Sequence, residues 1–136
     1  MTQANHQLVR DFFTAIASGS LTDDIVTADM TAWTPTAGTM EKARFQGAVK
    51  ILAGLFAGDF LYAIDTLTAE EDRVAAEVQS SGTFLDGESF HNFHIFTFRV
   101  RDGRIAHVAE HMNELMVMEK ILPRMQAAMA KLGITL

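Results

Sequence analysis

The chain has 136 residues, no cysteine and a formal net charge of −6 at pH 7, and 49% of its residues are hydrophobic. Without cysteine, disulfide bonds and thiol chemistry are excluded, and the composition is typical of a cytoplasmic protein. Binding to nucleic acid is not favoured, because an acidic chain lacks the basic stripe that phosphate backbones require. No apolar run reaches the ~18 residues of a membrane span, and the N-terminus lacks the layout of a signal peptide. We therefore expect one cytoplasmic domain over residues 1–136, with neither nucleic acid nor membrane as a partner.

The first part of the chain predicts helices with one strand among them. Apolar residues at helical spacing over residues 4–18 indicate an amphipathic helix that ends at Gly19. Thr22, followed by two aspartates, predicts the N-cap of a short second helix. Further elements are a strand over residues 30–34, a loop over roughly 35–45 and a third helix near 46–57.

From residue 60 the apolar spacing changes to the period of 2 that is typical of strands. Asp-Gly pairs, such as Asp102-Gly103, predict tight turns because glycine accepts the positive φ that these turns need. A helical tail over 114–132 follows, and Pro123 must kink it or begin a new helix there. The four predicted strands, joined as an antiparallel meander, cover approximately 60–70, 73–84, 88–101 and 104–113.

This order of elements predicts an α+β fold. We expect a cone-shaped, curved antiparallel sheet packed by the N-terminal helices, with a cavity between sheet and helices.

Polar residues interrupt an otherwise apolar strand face near the end of the chain. Alternation puts Asn92, His94 and Phe96 on one side of their strand, and it likewise puts Glu110 and Met112 on one side of the next. Polar groups on a face that should be core have either partners or a function. We therefore expect the floor of a small-molecule pocket here.

Two segments resemble the nuclear-transport-factor-2-like (NTF2-like) superfamily, in its SnoaL-like and limonene-epoxide-hydrolase-like branch. They are residues 100–113, with the sequence VRDGRIAHVAEHMN, and the helix around 47–56. The resemblance covers nearly the whole chain and implies an NTF2-like, or cystatin-like, α+β barrel. It does not imply one function, because hydrolases, isomerases, cyclases, dehydratases and binding proteins share this scaffold.

The resemblance also implies site residues. Epoxide hydrolases of this branch use an Asp–Arg–Asp triad, and Glu110 stands at its last acid. Glu77 and Gln79 stand where the arginine and the other aspartate would be, in the cavity. A glutamate in place of the arginine brings like charge and raises a carboxyl pKa, which argues against epoxide opening. From the residues alone, the face of Glu77 and Gln79 is equally compatible with solvent exposure.

Glu77, Glu110 and His94 are the predicted catalytic residues. Two neighbouring acids cannot both ionise cheaply, so one would hold a proton while the other acts as a base. Such a pair suits isomerase and cyclase chemistry, and His94 could shuttle a proton. The alternatives are that Glu110 is structural and that His94 is a hydrogen-bonded core residue.

Other side chains are predicted to bind the substrate. Asn92 and Gln79 could position a carbonyl or hydroxyl group, and Trp33 is expected to pack against Pro35 at the cavity mouth. Phe96 and Met112 would contribute to the apolar wall. No cofactor motif is present, and the histidine pairs at 91 and 94 and at 107 and 111 cannot chelate, so we expect no cofactor and no metal.

The leading hypothesis is a cofactor-independent isomerase- or cyclase-type enzyme that acts on a small apolar, oxygenated molecule such as a polyketide, terpenoid or steroid-like ring. The alternative is a non-catalytic binding or scaffold protein, and the third reading is an epoxide hydrolase with an altered triad. We also expect a homodimer through the outer sheet face. The residues predicted on that face are Val74, Val78, His91, His107 and His111.

Overall fold

The computed structural model describes residues 2–135 and contains a six-stranded sheet with helices from both ends of the chain. In chain order the elements are α1 (Thr2–Ser18), β1 (Val26–Thr34), β2 (Gly38–Glu41), α2 (Lys42–Ala53), β3 (Leu61–Glu70), β4 (Arg73–Thr83), β5 (Ser89–Arg101), β6 (Arg104–Met112), α3 (Glu114–Met116), a π-helical turn (Val117–Ile121) and α4 (Leu122–Leu132). The α+β prediction is confirmed. Among residues 2–135, no helix is both long enough and apolar enough to cross a membrane.

The sheet is curved and has the strand order β2-β1-β6-β5-β4-β3. Strands β3 to β6 form the predicted antiparallel meander, and Asp102, with φ 54°, and Gly103, with φ 75°, form its last turn. Strand β1 pairs in parallel with β6, with Ala32 opposite Val108. The sheet therefore has the predicted antiparallel character with one parallel pair added, between β1 and β6. A parallel pair needs a long connection between its strands, and here most of the chain supplies it.

The main core lies between helix α1 and the inner face of the sheet. Phe12 and Phe13 of α1 are buried there. The ring of Phe12 meets that of Phe98 edge-on, with centroids 5.1 Å apart, and Phe13 meets Phe96 at 4.9 Å. Such edge-to-face contacts between buried rings stabilise the packing beyond the area they bury. Helix α1 thereby fixes which sheet face points inward.

A second, smaller core lies beneath the C-terminal helical segment. Phe56, Phe84 and Ile121 are buried in it. At Gly82 a Cβ atom would lie 2.7 Å from the Phe56 ring, so only glycine allows this close approach. Pro123 lies in the first turn of α4, directly after the π-helical turn, so a new helix begins there as one of the two predicted options.

Two local predictions are wrong. Residues 23–25 form a turn and not a short helix, and the Thr22 hydroxyl donates to the Asp24 carboxylate. The β-branched residues that follow favour the extended conformation, so β1 begins already at Val26. The predicted loop over 35–45 contains strand β2 and the first residues of α2, because a tight turn pairs Gly38 with Thr34.

Candidate functional site

A cavity of about 300 Å³ lies between the inner sheet face, helix α2 and the C-terminal helical segment. Its walls are apolar and adaptable, since thioethers and aliphatic groups can follow the shape of a ligand. Representative wall residues are Val49 and Leu52 from α2, Phe96 and Met112 from the sheet, and Met125 and Met129 from α4.

Three polar side chains on adjacent strands form a hydrogen-bonded line on the cavity floor. The Nδ1 atom of His94, on β5, lies 2.7 Å from Oε2 of Glu110, on β6. The Nε2 atom of the same ring lies 2.7 Å from the hydroxyl oxygen of Ser80, on β4. Only 1% of Ser80 and 8% of His94 are exposed, whereas the Glu110 side chain is 17% exposed. Glu110 is therefore the member of the line that a ligand can reach most easily.

The partners of its two ring nitrogens limit the hydrogen-bonding roles of His94. The Glu110 carboxylate can only accept a hydrogen bond, so Nδ1 carries a proton. In the neutral tautomer, the Nε2 lone pair accepts a hydrogen bond from the hydroxyl of Ser80. The sequence left open whether His94 is a satisfied core residue, and both of its ring nitrogens do have partners.

A second row of side chains crosses the floor at right angles to the strands. Tyr62 on β3 and Asn92 on β5 both pair with Ser80 in the sheet register, so they flank it on the inner face. The Asn92 amide nitrogen makes one long bond, 3.4 Å, to the carbonyl oxygen of Asn113. Burial, and then the negative charge of Glu110, hold the pKa of Tyr62 well above its usual value. Both neighbours of Ser80 can therefore donate a hydrogen bond into the cavity.

The predicted pocket positions of Glu77 and Gln79 are wrong. Both side chains lie on the outer sheet face, where Thr66 donates to Glu77 Oε2 at 2.5 Å and Gln79 Nε2 donates to Asp65 at 2.9 Å. Gln79 also accepts a hydrogen bond from His91, at 2.8 Å. Alternation puts the buried residues of β4 on its inner face and leaves Glu77 and Gln79 outside; the buried residues are Val74, Ala76, Val78 and Ser80.

Three consequences follow from this placement. Glu77 and Glu110 lie on opposite faces of the sheet, so they do not form the predicted paired-carboxylate site. Val74 and Val78 were predicted on the outer sheet face, and this prediction is wrong because both are core residues. The inner face of β4 also carries neither an arginine nor an acid, so Glu110 has no partners for an epoxide-hydrolase triad.

Trp33 does not lie at the cavity mouth. Its neighbours Ala32 and Thr34 are buried on the inner face, so Trp33 points outward. There its ring lies 5.0 Å from that of His111. The prediction failed because the inner face of β1 is decided by its pairing with β6, a contact that the local pattern does not reveal.

The remaining predicted site residues do line the cavity. They are Asn92, His94, Phe96, Glu110 and Met112. Their roles in binding or catalysis stay predictions. Sequence reasoning missed Ser80 and left Tyr62 open. The sequence signal for Ser80 was a small polar residue that continues the alternating apolar series of Val74, Ala76 and Val78.

The cavity rim carries further polar groups. Arg44 from the first turn of α2 is exposed there, together with Thr36 and Gln126. Within residues 2–135, no three His, Asp or Glu side chains come together in a way that could hold a metal ion.

Comparison with known proteins identifies the family. A family model described as the SnoaL-like domain matches residues 9–108. The chain belongs to the SnoaL-like family. A search of curated proteins found no match.

Solved structures of the SnoaL-like and NTF2-like type share this fold. An NTF2-like protein from Anabaena variabilis ATCC 29413 is 25% identical, with a TM-score of 0.71 over 82% of this chain and 87% of that one. A candidate SnoaL-like polyketide cyclase from Jannaschia sp. CCS1 is 16% identical, with a TM-score of 0.73 over 88% and 92%. A candidate hydroxylase from Streptomyces galilaeus is 17% identical, with a TM-score of 0.74 over 93% and 87%.

Proposed function

We propose that this SnoaL-like protein is a cofactor-independent acid–base enzyme of the isomerase or cyclase type. Its substrate would be a small apolar, oxygenated molecule such as a polyketide, terpenoid or steroid-like ring. The observation that carries the proposal is the Glu110 carboxylate, hydrogen-bonded to His94 at 2.7 Å on the floor of an apolar cavity.

Glu110 is the proposed base. It would remove a proton from a carbon next to a carbonyl group, while the Nδ1–H group of His94 holds one carboxylate oxygen and orients the other. A bound apolar substrate displaces water from the cavity, which strengthens the electrostatic interactions inside it.

Tyr62 is the proposed hydrogen-bond donor to the negative oxygen that forms. The hydroxyl keeps its proton at neutral pH, because an ordinary tyrosine pKa is near 10 and burial and Glu110 raise the pKa of Tyr62 further. Asn92 can donate from the other side of the floor. Such preorganised donors stabilise the charge that develops in the transition state.

The enolate can react in two ways. If the protonated Glu110 returns its proton to another carbon, the product is an isomer of the substrate. If the enolate carbon attacks a second carbonyl of the same molecule, a ring closes and the new alkoxide takes the proton. The Jannaschia protein is described as a candidate polyketide cyclase, which agrees with ring closure. Its structural similarity to this chain supports a shared fold.

Solvent deuterium exchange tests the proposal. The wild-type protein is incubated in deuterated water with cyclic ketones, polyketide-like diketones and steroid ketones, and deuterium uptake beside the carbonyl is followed by mass spectrometry. Replacing Glu110 by Gln should lower the exchange rate by about 100-fold or more, the usual contribution of a general base. Glu77→Gln is the matched control on the outer face and should leave the rate unchanged. Equal exchange in Glu110→Gln and wild type would refute the role of Glu110.

The alternative is a binding protein that holds such a ligand without chemistry. Ligand binding that raises the unfolding temperature, without any deuterium uptake in the wild type, would support this alternative. The cytoplasmic location is part of the proposal and is supported by the lack of cysteine.

A further inference from the structure

Ser80 is a buried hydroxyl on the cavity floor that the acid–base mechanism does not require. It lines the cavity beside Tyr62, Asn92 and His94. Its oxygen lies 2.7 Å from Nε2 of His94. A buried serine could satisfy its hydrogen bond at a backbone carbonyl, but this one bonds to the basic nitrogen of an imidazole.

The order of groups in the line is the one that activates a nucleophile. A serine hydroxyl is a weak nucleophile until a neighbouring base accepts its proton, and the base works best when a third group orients it. Here Nε2 of His94 faces the hydroxyl, while Nδ1 donates to Glu110 at 2.7 Å. Glu110 would stabilise the imidazolium that forms when His94 takes the serine proton.

The two neighbours of Ser80 supply donors for an oxyanion. Tyr62 and Asn92 are its register partners on either side, so their side chains stand next to the hydroxyl on the same face. Tyr62 presents an O–H group, and the Asn92 amide has two N–H groups but one long hydrogen bond. An ester carbonyl at Ser80 would therefore meet a nucleophile and two donors together.

We propose that Ser80 is a nucleophile and that the cavity catalyses acyl transfer from apolar carboxylic esters. The Ser80 oxygen bonds to the carbonyl carbon while its proton passes to Nε2 of His94, and the carbonyl electron pair moves to the oxygen between Tyr62 and Asn92. The bond to the alkoxy oxygen then breaks, and that oxygen leaves as an alcohol with the proton from His94. Water releases the acid from the acyl-serine by the same steps.

The cavity also limits the substrate. Its walls of leucine, phenylalanine and methionine side chains favour an apolar acyl group, and its volume of about 300 Å³ excludes large polar chains. Short alkyl and aromatic esters are the class that fits.

Covalent labelling tests the proposal. The full-length protein is treated at pH 8 with an alkyl fluorophosphonate and, separately, with p-nitrophenyl butyrate, and adducts are read by intact mass and peptide mapping. We expect one adduct per chain, on Ser80. Replacing Ser80 by Ala should abolish the adduct, and His94→Asn should slow its formation by about 100-fold or more. Ser81→Ala is the matched control, because Ser81 lies next along β4 on the outer face, and it should label like the wild type.

No adduct in the wild type, or an adduct that persists in Ser80→Ala, would overturn the proposal. If Ser80→Ala does not fold, Ser80→Cys decides, because the chain has no other cysteine. That thiol should be acylated by p-nitrophenyl butyrate faster than the thiol of Ser81→Cys, and equal or slower acylation would also overturn the proposal. The adduct and the deuterium exchange are separate readouts, so either proposal can fail while the other stands.

Discussion

The hydroxyl of Tyr62 lies where a negative charge would be costly. Tyr62 is partly buried, and desolvation together with the negative charge of Glu110 raises its pKa well above the usual value. In the folded protein the group keeps its proton above pH 10, whereas in the unfolded chain it loses the proton near pH 10. Tyr62 therefore makes the folded state less stable, relative to the unfolded state, as the pH rises above about 10.

Replacing Tyr62 by Phe removes this titration. We expect the free energy of unfolding of the wild type to fall more steeply between pH 10 and 11 than that of Tyr62→Phe, by up to about 1.4 kcal/mol per pH unit. Urea unfolding followed by circular dichroism at pH 8 to 11 measures both slopes. Parallel slopes would show that Tyr62 ionises normally in the folded protein.

The residues of the floor differ in how far the sequence reveals them. The inner-face positions of His94 and Glu110 were predicted correctly, because buried apolar residues recur with them at every second position along their strands. These residues are Phe96, Phe98 and Val108. The face of strand β4 was predicted wrongly, since the implied triad positions favoured Glu77 and Gln79 over the apolar row of Val74 and Val78. Burial decided the face there, and the two polar side chains found partners outside.

At the scale of elements, helix α4 covers the cavity from outside the core, whereas Ile121 of the preceding π-helical turn belongs to the second core. No residue of α4 is buried. Charged contacts hold the segment to the turn between β4 and β5. Arg124 bonds to Asp86 at 2.8 Å and lies 3.8 Å above the Phe84 ring, and Lys120 bonds to Glu88 at 2.7 Å.

Replacing Arg124 by Gln should loosen this cover. We expect hydrogen exchange over residues 122–132 to become several-fold faster, with little change in the sheet, and a mass-spectrometric exchange experiment measures both. Lys131→Gln, a change of equal charge at an exposed site of the same helix, is the control. Unchanged protection in Arg124→Gln would mean that apolar contacts alone hold the helix.

The same contacts predict a dependence on pH. The backbone N–H of Glu88 and then Arg124 lower the pKa of Asp86, while Lys120 lowers that of Glu88. A lowered pKa in the folded state stabilises it above the ordinary carboxyl pKa, and the effect is lost as the pH falls through the lowered value. The difference in folded-state stability between Arg124→Gln and wild type should therefore become smaller below about pH 4.

The strands of the meander were predicted within a few residues, because turn signals and a period of 2 are local features. Strand β2 and the parallel pairing of β1 were missed. Both depend on which strand lies beside β1 in the folded sheet, and no local pattern around Met30 or Trp33 encodes that neighbour.

At the scale of the whole molecule, the outer sheet face carries exposed apolar side chains. Phe93 is 58% exposed and Ile95 52% exposed, next to Trp33 and His111. Apolar patches of this kind usually have a partner. The homodimer predicted from the sequence stays a prediction. Its interface would contain Phe93, Ile95, Trp33 and His111, and not the buried Val74 and Val78.

Light scattering at several concentrations tests the dimer. The wild type should have twice the mass of the chain, and Ile95→Asp should have the mass of one chain, because a buried unpaired charge is costly. Leu85→Asp is the control, since Leu85 is also an exposed apolar residue, at 72%, but lies in the turn between β4 and β5. A wild type of single-chain mass at all concentrations would exclude the dimer.

The parallel pairing of β1 with β6 affects how the chain folds during its synthesis. The neighbour of Ala32 is Val108, so a nascent chain on the ribosome cannot complete its sheet until residues 104–112 have been synthesised. Until then one edge of β1 lacks its hydrogen-bonding strand and is open to wrong contacts. Contacts between such distant parts of the chain also slow folding, so the sheet should be completed only after β6 has been synthesised.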